Sequence, residues 1–288
     1  MTSEGVPRSG ERDGDAGWGD DAPAPGDSHP AFDTSIAHQA RIYDYLLGGK
    51  DNFAADRKAG DAMIAAYPTM VGLARANRVF LGRAVRYLTA DAGIRQFLDI
   101  GTGIPTAGNT HQVAQEIAPE TRVVYVDYDP VVLSQARALL TSSEQGATDY
   151  IDADARNTEA ILEKAARTLD FSQPVAVMLV MILHAIGDSD DPYGIATRVM
   201  AAVPAGSYLT ISHPAADIEP EKVANVTGSL NELSYQKYTT RTHSQVMRFF
   251  DGLDLVDPGL VQVQQWRPGI ERNQTAAVWA GVGHKPRD

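Results

Sequence analysis

Two hydrophobic periods divide the chain. From Phe32 to about Ala92 apolar residues recur at helical spacing; beyond that they form short continuous runs separated by amphipathic stretches. In the first region "HQARIYDYLLGGKDNF" starts as a helix and stops at Gly48-Gly49, a C-terminal cap. A second helix is predicted over about 56–66, closed by Pro68. A third, "TMVGLARANRVFLGRAVRYLTA", puts Leu73, Phe80, Ala84 and Leu88 on one face, with Asn77 on the same stripe. A polar residue there predicts a buried hydrogen-bonder that ties down the N-terminal block or touches ligand.

In the second region "QFLDI", "RVVYVD", "TDYIDA", "PVAVMLVMIL" and "GSYLTIS" read as strands. Helical patterns over 109–118, 130–141, 157–169 and 192–202 separate most of them. Continuous apolar strands alternating with helices predict a parallel sheet covered on both faces. After Ser212 the pattern predicts helices at about 219–235 and 242–252, then a closing pair of strands in "LVQVQQW" and "TAAVWAGV".

Composition narrows this picture. Residues 1–30 carry seven acids against two arginines and little to bury, which predicts a disordered acidic tail. The remainder divides into a helical cap or lid over 31–92 and a ligand-binding domain over 93–288. The 288 residues carry a net charge of -12, which repels phosphate backbones and argues against nucleic acid as a partner. There is no cysteine, no spaced histidine pair and hence no metal signature. No run is long enough to span a membrane, and the N-terminus lacks the pattern of a signal peptide. A cytoplasmic location is expected.

The candidate chemistry begins at "FLDIGTGIPTAGN", residues 97–109. In an open α/β sheet ligands sit at the carboxyl ends of the strands, and Gly101 and Gly103 allow a tight turn and close backbone approach there. Asp127 ends the next strand, where an acid accepts hydrogen bonds from a ribose diol. A dinucleotide loop has a third glycine where this chain has Thr106, and Pro105 removes an amide where pyrophosphate would lie. A carboxylate at Asp99 would repel a pyrophosphate but could hold the loop or face a cofactor's ammonium. A cofactor with a ribose, a cation and no phosphate fits better, and S-adenosylmethionine is such a molecule.

"FLDIGTGIP", "VVYVDYDP" and "YIDADAR", in that order, resemble the cofactor motifs of Rossmann-like S-adenosylmethionine-dependent methyltransferases. More narrowly, "ARIYDYLLGGKDNFAADR", "RANRVFLGRAVRYL" and "GSYLTISH" resemble an actinobacterial family of S-adenosyl methyltransferases, formerly a domain of unknown function. The resemblance spans about Phe32 to Pro286. It implies an α/β fold with a mostly parallel seven-stranded sheet and an N-terminal helical cap. It also implies that Asp99, Gly101 and Gly103 surround the methionyl part of the cofactor. Asp127 would take the ribose hydroxyls, with Tyr128 beside the adenine; Asp154 would take the adenine amino group and the amide of Ala155 a ring nitrogen.

Methyl transfer from a sulfonium needs alignment above all, and a base only if the acceptor must lose a proton. His184 directly follows "VMLVMIL", at the edge where an acceptor belongs, and is the candidate catalytic residue: it can serve as a general base or simply orient the loop, and the structural role is the favoured one. His213 is the weaker candidate. In the N-terminal block, Arg41 and Tyr43 are expected to reach the cofactor's carboxylate as part of a lid, with Gly48 and Gly49 allowing close approach. The competing reading is a capped helix whose polar face meets only water. The expected function is methyl transfer to an unidentified small-molecule acceptor. A non-catalytic module binding the same cofactor and a nicotinamide-dependent oxidoreductase stand as alternatives.

Overall fold

The apolar runs of the sequence become β1 (Gln96–Ile100), β2 (Arg122–Asp127), β3 (Ala147–Asp152), β4 (Ala176–Val180) and β5 (Tyr208–Pro214), all parallel. The structure, a computed structural model, describes residues 33–139, 142–234, 237–268 and 276–287. The acidic segment 1–30 lies outside the described residues.

Parallel neighbours need crossovers, and helices supply them: α4 (Thr110–Ile117), α5 (Pro130–Leu139), α6 (Thr158–Ala165) and α7 (Pro192–Ala202). Ahead of the sheet come α1 (Gln39–Leu47), α2 (Ala54–Ala66) and α3 (Met70–Arg86); behind it come α8 (Pro220–Leu233) and α9 (His243–Met247). Local chemistry sets several boundaries. Gly48 ends α1 at φ +83°, a conformation only glycine adopts freely. Asp191 begins α7 by accepting the Gly194 amide at 3.0 Å, with Pro192 in the first turn.

Three further strands close the sheet: the two-residue β6 (Asp254–Leu255) and β7 (Val261–Gln262), and the seven-residue β8 (Val278–His284). The order is β3-β2-β1-β4-β5-β8-β6, with β8 antiparallel to β5 and β7 added beside β8. The sheet is thus mostly parallel, seven strands in its main path and a two-residue eighth off it. The expected closing pair is only partly formed. "LVQVQQW" pairs over two residues and then turns, because Arg83 of α3 donates to the carbonyls of Trp266 (2.8 Å) and Val263 (2.7 Å). Those carbonyls are then committed to α3 and not to a ladder.

Successive residues of one strand feed opposite cores. Phe97 joins the cluster that contains Ile42, Leu46, Met63, Leu73 and Phe80 of α1, α2 and α3; Leu98 joins the cluster on the other face with Val124, Ile161 and Val199. The helices within 31–92 therefore share a core with the sheet, and from Thr34 onward the chain is one compact unit.

Candidate functional site

The strand order reverses at β1, with β2 and β3 running out to one side and β4 and β5 to the other. That switch point opens a crevice at the carboxyl ends of the strands. Gln96 pairs with Arg122 and Ile100 with Val126, so Asp127 falls one step past the end of β1, beside the glycine turn; Asp127 in turn faces Asp152.

The glycines are required. Gly101 lies at φ +77° and Gly103 at φ +68°, and a Cβ on Gly101 would lie 2.4 Å from Ile182. The Gly101 amide donates to Val126 O at 2.8 Å and the Gly103 amide to Asp127 Oδ2 at 2.8 Å. Asp127 Oδ1 accepts the amides of Tyr128 at 2.8 Å and Asp129 at 3.1 Å. A carboxylate has about four lone-pair sites, so three amides leave room for a hydroxyl. Burial pushes the Asp127 carboxyl above its ordinary range, while the Asp129 and Gly103 amides pull against that shift.

Asp99 is buried, and its Oδ2 accepts the Thr110 hydroxyl at 2.6 Å. Burial pushes its pKa up to about 6, opposed by that bond and by the charge of Arg78. Asp154 accepts Nε (2.9 Å) and a terminal nitrogen (2.6 Å) of Arg156, and the Arg156 amide at 2.9 Å. Its carboxylate is thus largely engaged before any ligand arrives. Gly101, Gly103, Asp99, Asp127, Tyr128, Asp154 and Ala155 all line one cavity, together with Tyr43 and His184.

Arg41, Gly48 and Gly49 are not among the described residues that line it. The Arg41 guanidinium is buried between Asp129 (3.4 Å) and Asp56 (3.8 Å), which pins α1 to the end of β2 and to α2. Gly48 caps α1, and Gly49 packs against the Asp44 carboxylate, where a Cβ would lie 1.9 Å away. These three residues build the wall that carries Tyr43. Nor is the block from Arg41 to Asn52 loosely held, since Ile42, Leu46, Asp44 and Asn52 are buried.

Tyr43 donates to Ala74 O at 3.0 Å and accepts the amide of Asn77 at 2.9 Å; Ser212 of β5 donates to Asn77 Oδ1 at 2.6 Å. Asn77 thus ties α1 to the sheet, as its place on the apolar stripe predicts, and it also lines the cavity.

On the opposite side His184 sits in a short turn after β4. Its pKa is held well below the ordinary histidine value by burial first, then by His213 and Arg241. Its Nδ1 is buried and finds no hydrogen-bond partner among the described residues, and its ring lies 4.3 Å from that of Tyr238. His213, by contrast, is fully used. Its Nδ1 donates to Pro214 O at 2.9 Å, and its Nε2 accepts from Arg241 at 2.8 Å. Arg241, itself buried, also donates to the carbonyls of Leu183 (2.9 Å) and Ile186 (3.0 Å), the two sides of the His184 turn. His213 and Arg241 are positioning residues for that turn.

Several lining residues escaped the sequence reading. Arg78 of α3 donates to the carbonyls of Ala107 and Gly108 at 3.2 Å, bringing a guanidinium over the glycine loop. His38 contacts Asp129 at 2.7 Å and stands edge-on to Tyr128. Gln39 lines the cavity with a buried Nε2 that finds no partner among the described residues. Met181 adopts φ +55° at the cavity wall, an unusual conformation for a side chain of its size. Their common signal is weak: they come from helices and turns far in sequence from the glycine loop.

The loop also discriminates between cofactors. The Thr106 amide donates to Asn109 Oδ1 at 3.1 Å, and the amides of Gly108 and Asn109 both donate to Gln112 Oε1 at 2.9 Å. Donors that a pyrophosphate would need at the start of α4 are consumed internally.

Comparison with known proteins agrees with this geometry. No curated protein matches the sequence. A solved DUF574 family protein from Streptomyces avermitilis is 45% identical, with a TM-score of 0.86 over 88% of this chain and 100% of its own. A solved protein from Thermobifida fusca is 38% identical, with a TM-score of 0.82 over 90% of this chain and 98% of its own. An O-methyltransferase family protein from Burkholderia thailandensis, 14% identical with a TM-score of 0.51 over 77% of this chain and 61% of its own, shares the fold alone. The family model described as S-adenosyl methyltransferase matches residues 25–286, so the chain belongs to that family and its cofactor is S-adenosylmethionine.

Proposed function

We propose that this chain is an enzyme that transfers the methyl group of S-adenosylmethionine to a small molecule held in the same cavity. One observation carries the reading. The cavity that begins at the cofactor edge continues between α1, α3 and α8 to His184, so two ligands would share one enclosure.

Asp127 would accept the ribose hydroxyls, with Tyr128, Asp154 and the Ala155 amide around the base. Asp99 would face the cofactor's ammonium. Arg78, which reaches over the glycine loop, would hold the carboxylate in the place expected of Arg41. When bound, the cofactor supplies a methyl group on a sulfonium. The protein's part is alignment, exclusion of water by the buried wall of α1 and α3, and a proton acceptor at His184. Nucleic acid and membranes do not enter this reading, and no helix among the described residues is long and apolar enough to cross a membrane.

Calorimetry with S-adenosylhomocysteine tests it. Asp127→Asn should weaken binding by about 1.5–3 kcal/mol, the range for a hydrogen bond to a charged group. Unchanged affinity would place the ribose elsewhere.

A further inference from the structure

We infer that the methyl acceptor is a neutral, largely apolar molecule that attacks through a hydroxyl oxygen hydrogen-bonded to His184. This rests on the methyltransferase reading and deepens it.

The argument is one of charge distribution. Among the described lining residues, Asp99 and Asp127 sit at the carboxyl ends of β1 and β2, Asp154 and Arg156 on the loop that follows β3, Arg78 is bonded to the loop after β1, and His38 lies against Tyr128 and Asp129. Every ionic partner is therefore at the cofactor edge. The wall offered by the cap and α8 includes Ile42, Leu46, Met63, Met70, Leu73 and Leu230, all buried, with Gln39, Tyr43 and Asn77 as its neutral polar members. Polar atoms on that side belong to neutral groups, and Tyr43 and Asn77 already satisfy each other. A carboxylate or ammonium placed there would be desolvated with no counter-charge. An apolar skeleton would bury against aliphatic side chains instead.

Of the buried lining atoms with no hydrogen-bond partner among the described residues, Gln39 Nε2 can only donate, whereas His184 Nδ1 can accept. It needs a donor, and with the ring hydrogen on Nε2 it accepts one from an O–H. Burial, His213 and Arg241 lower its basicity, which suits a donor that becomes strongly acidic as it is methylated. As the oxygen forms its bond to the methyl carbon, the carbon–sulfur bond gives its electron pair to sulfur and the hydroxyl proton passes to Nδ1. An oxygen bearing both a proton and the new methyl group is acidic enough to protonate even a weak imidazole, and a neutral ether remains. A methylated ammonium would keep its proton and stay charged against the aliphatic wall.

The test uses three naphthalene probes with hydroxymethyl, aminomethyl or carboxylate substituents, titrated into full-length protein preloaded with S-adenosylhomocysteine. The alcohol should bind at least about tenfold more tightly than the ammonium or carboxylate probe at pH 7.5. His184→Leu should keep the S-adenosylhomocysteine affinity and lose that preference. Equal or tighter binding of a charged probe, or binding of none of the three, overturns the acceptor class. Failure to load S-adenosylhomocysteine at all overturns the methyltransferase reading instead.

Discussion

Asn77 donates its side-chain amide to the phenolic oxygen of Tyr43 across 2.9 Å, joining two helices that are 34 residues apart in sequence. Its other end accepts Ser212, so a single amide couples α1, α3 and β5 at the cavity wall. Asn77→Ala strips a buried donor and a buried acceptor at once. The expected cost is about 2–3 kcal/mol, one to two unsatisfied buried groups. For a domain of this size that lowers the melting temperature by roughly 4–10 °C. A cycle with Tyr43→Phe should show a coupling of at least about 0.5 kcal/mol; additive losses would mean that the two side chains act independently.

Asp99 gives the apo protein a pH signature. Its folded pKa is raised to about 6 by burial, above the unfolded value, so the folded state holds a proton that the unfolded chain releases first. That contribution is present in full below about pH 4 and lost as pH rises through about 6, roughly 3 kcal/mol in total. Buried His184 and His213 act in the opposite sense, since the unfolded chain gains protons there as pH falls. The Asp99 share is isolated by subtracting the urea stability of Asp99→Asn from that of the wild type at pH 4–7.5. If Asp99 faces the cofactor's ammonium, S-adenosylmethionine affinity should rise through pH 6 in the wild type and stay flat in Asp99→Asn. A flat difference curve would show that Asp99 is already ionised in the folded state.

Much of this architecture is written locally. β1, β2, β4 and β5 are apolar runs because both of their faces are covered, and Gly101 stands where the backbone needs a positive φ against Ile182. Asn77 was legible for the same reason: a polar residue on an apolar stripe must find a partner inside. Other parts of the site are written non-locally. Arg41 looks like a ligand-binding residue in sequence, and only the fold reveals that Asp56 and Asp129 take up its charge. Arg78 looks like any helix-surface arginine until α3 is laid over the glycine loop. In sequence His184 and His213 each stand at a strand exit, with His213 the weaker candidate. Arg241, 28 residues beyond His213, saturates one ring, while the Nδ1 of the other finds no partner among the described residues.

The N-terminal block raises the last prediction, because its double glycine and polar face suggest a mobile lid while its packing describes a fixed wall. Ile42 and Leu46 are buried in the core cluster that holds Phe80 and Phe97, and Arg41 is buried among its own partners. Asp44 Oδ2 accepts the Asn52 side chain at 2.8 Å and the Asp51 amide at 3.0 Å, which folds the Gly48-Gly49 turn back onto α1. Opening this segment would expose apolar surface and unpair those groups, so it should be costly without ligand. A ligand shifts an equilibrium only by its differential affinity for the two states. Amides of residues 42–47 should therefore exchange slowly in the apo protein and change less than about tenfold on adding S-adenosylhomocysteine, below about 1.4 kcal/mol of differential stabilisation. Residues 101–103 and 127–129 should gain most of the protection. A rise well beyond tenfold across 42–47 would make α1 a lid after all, and Tyr43 would then report closure and not position alone.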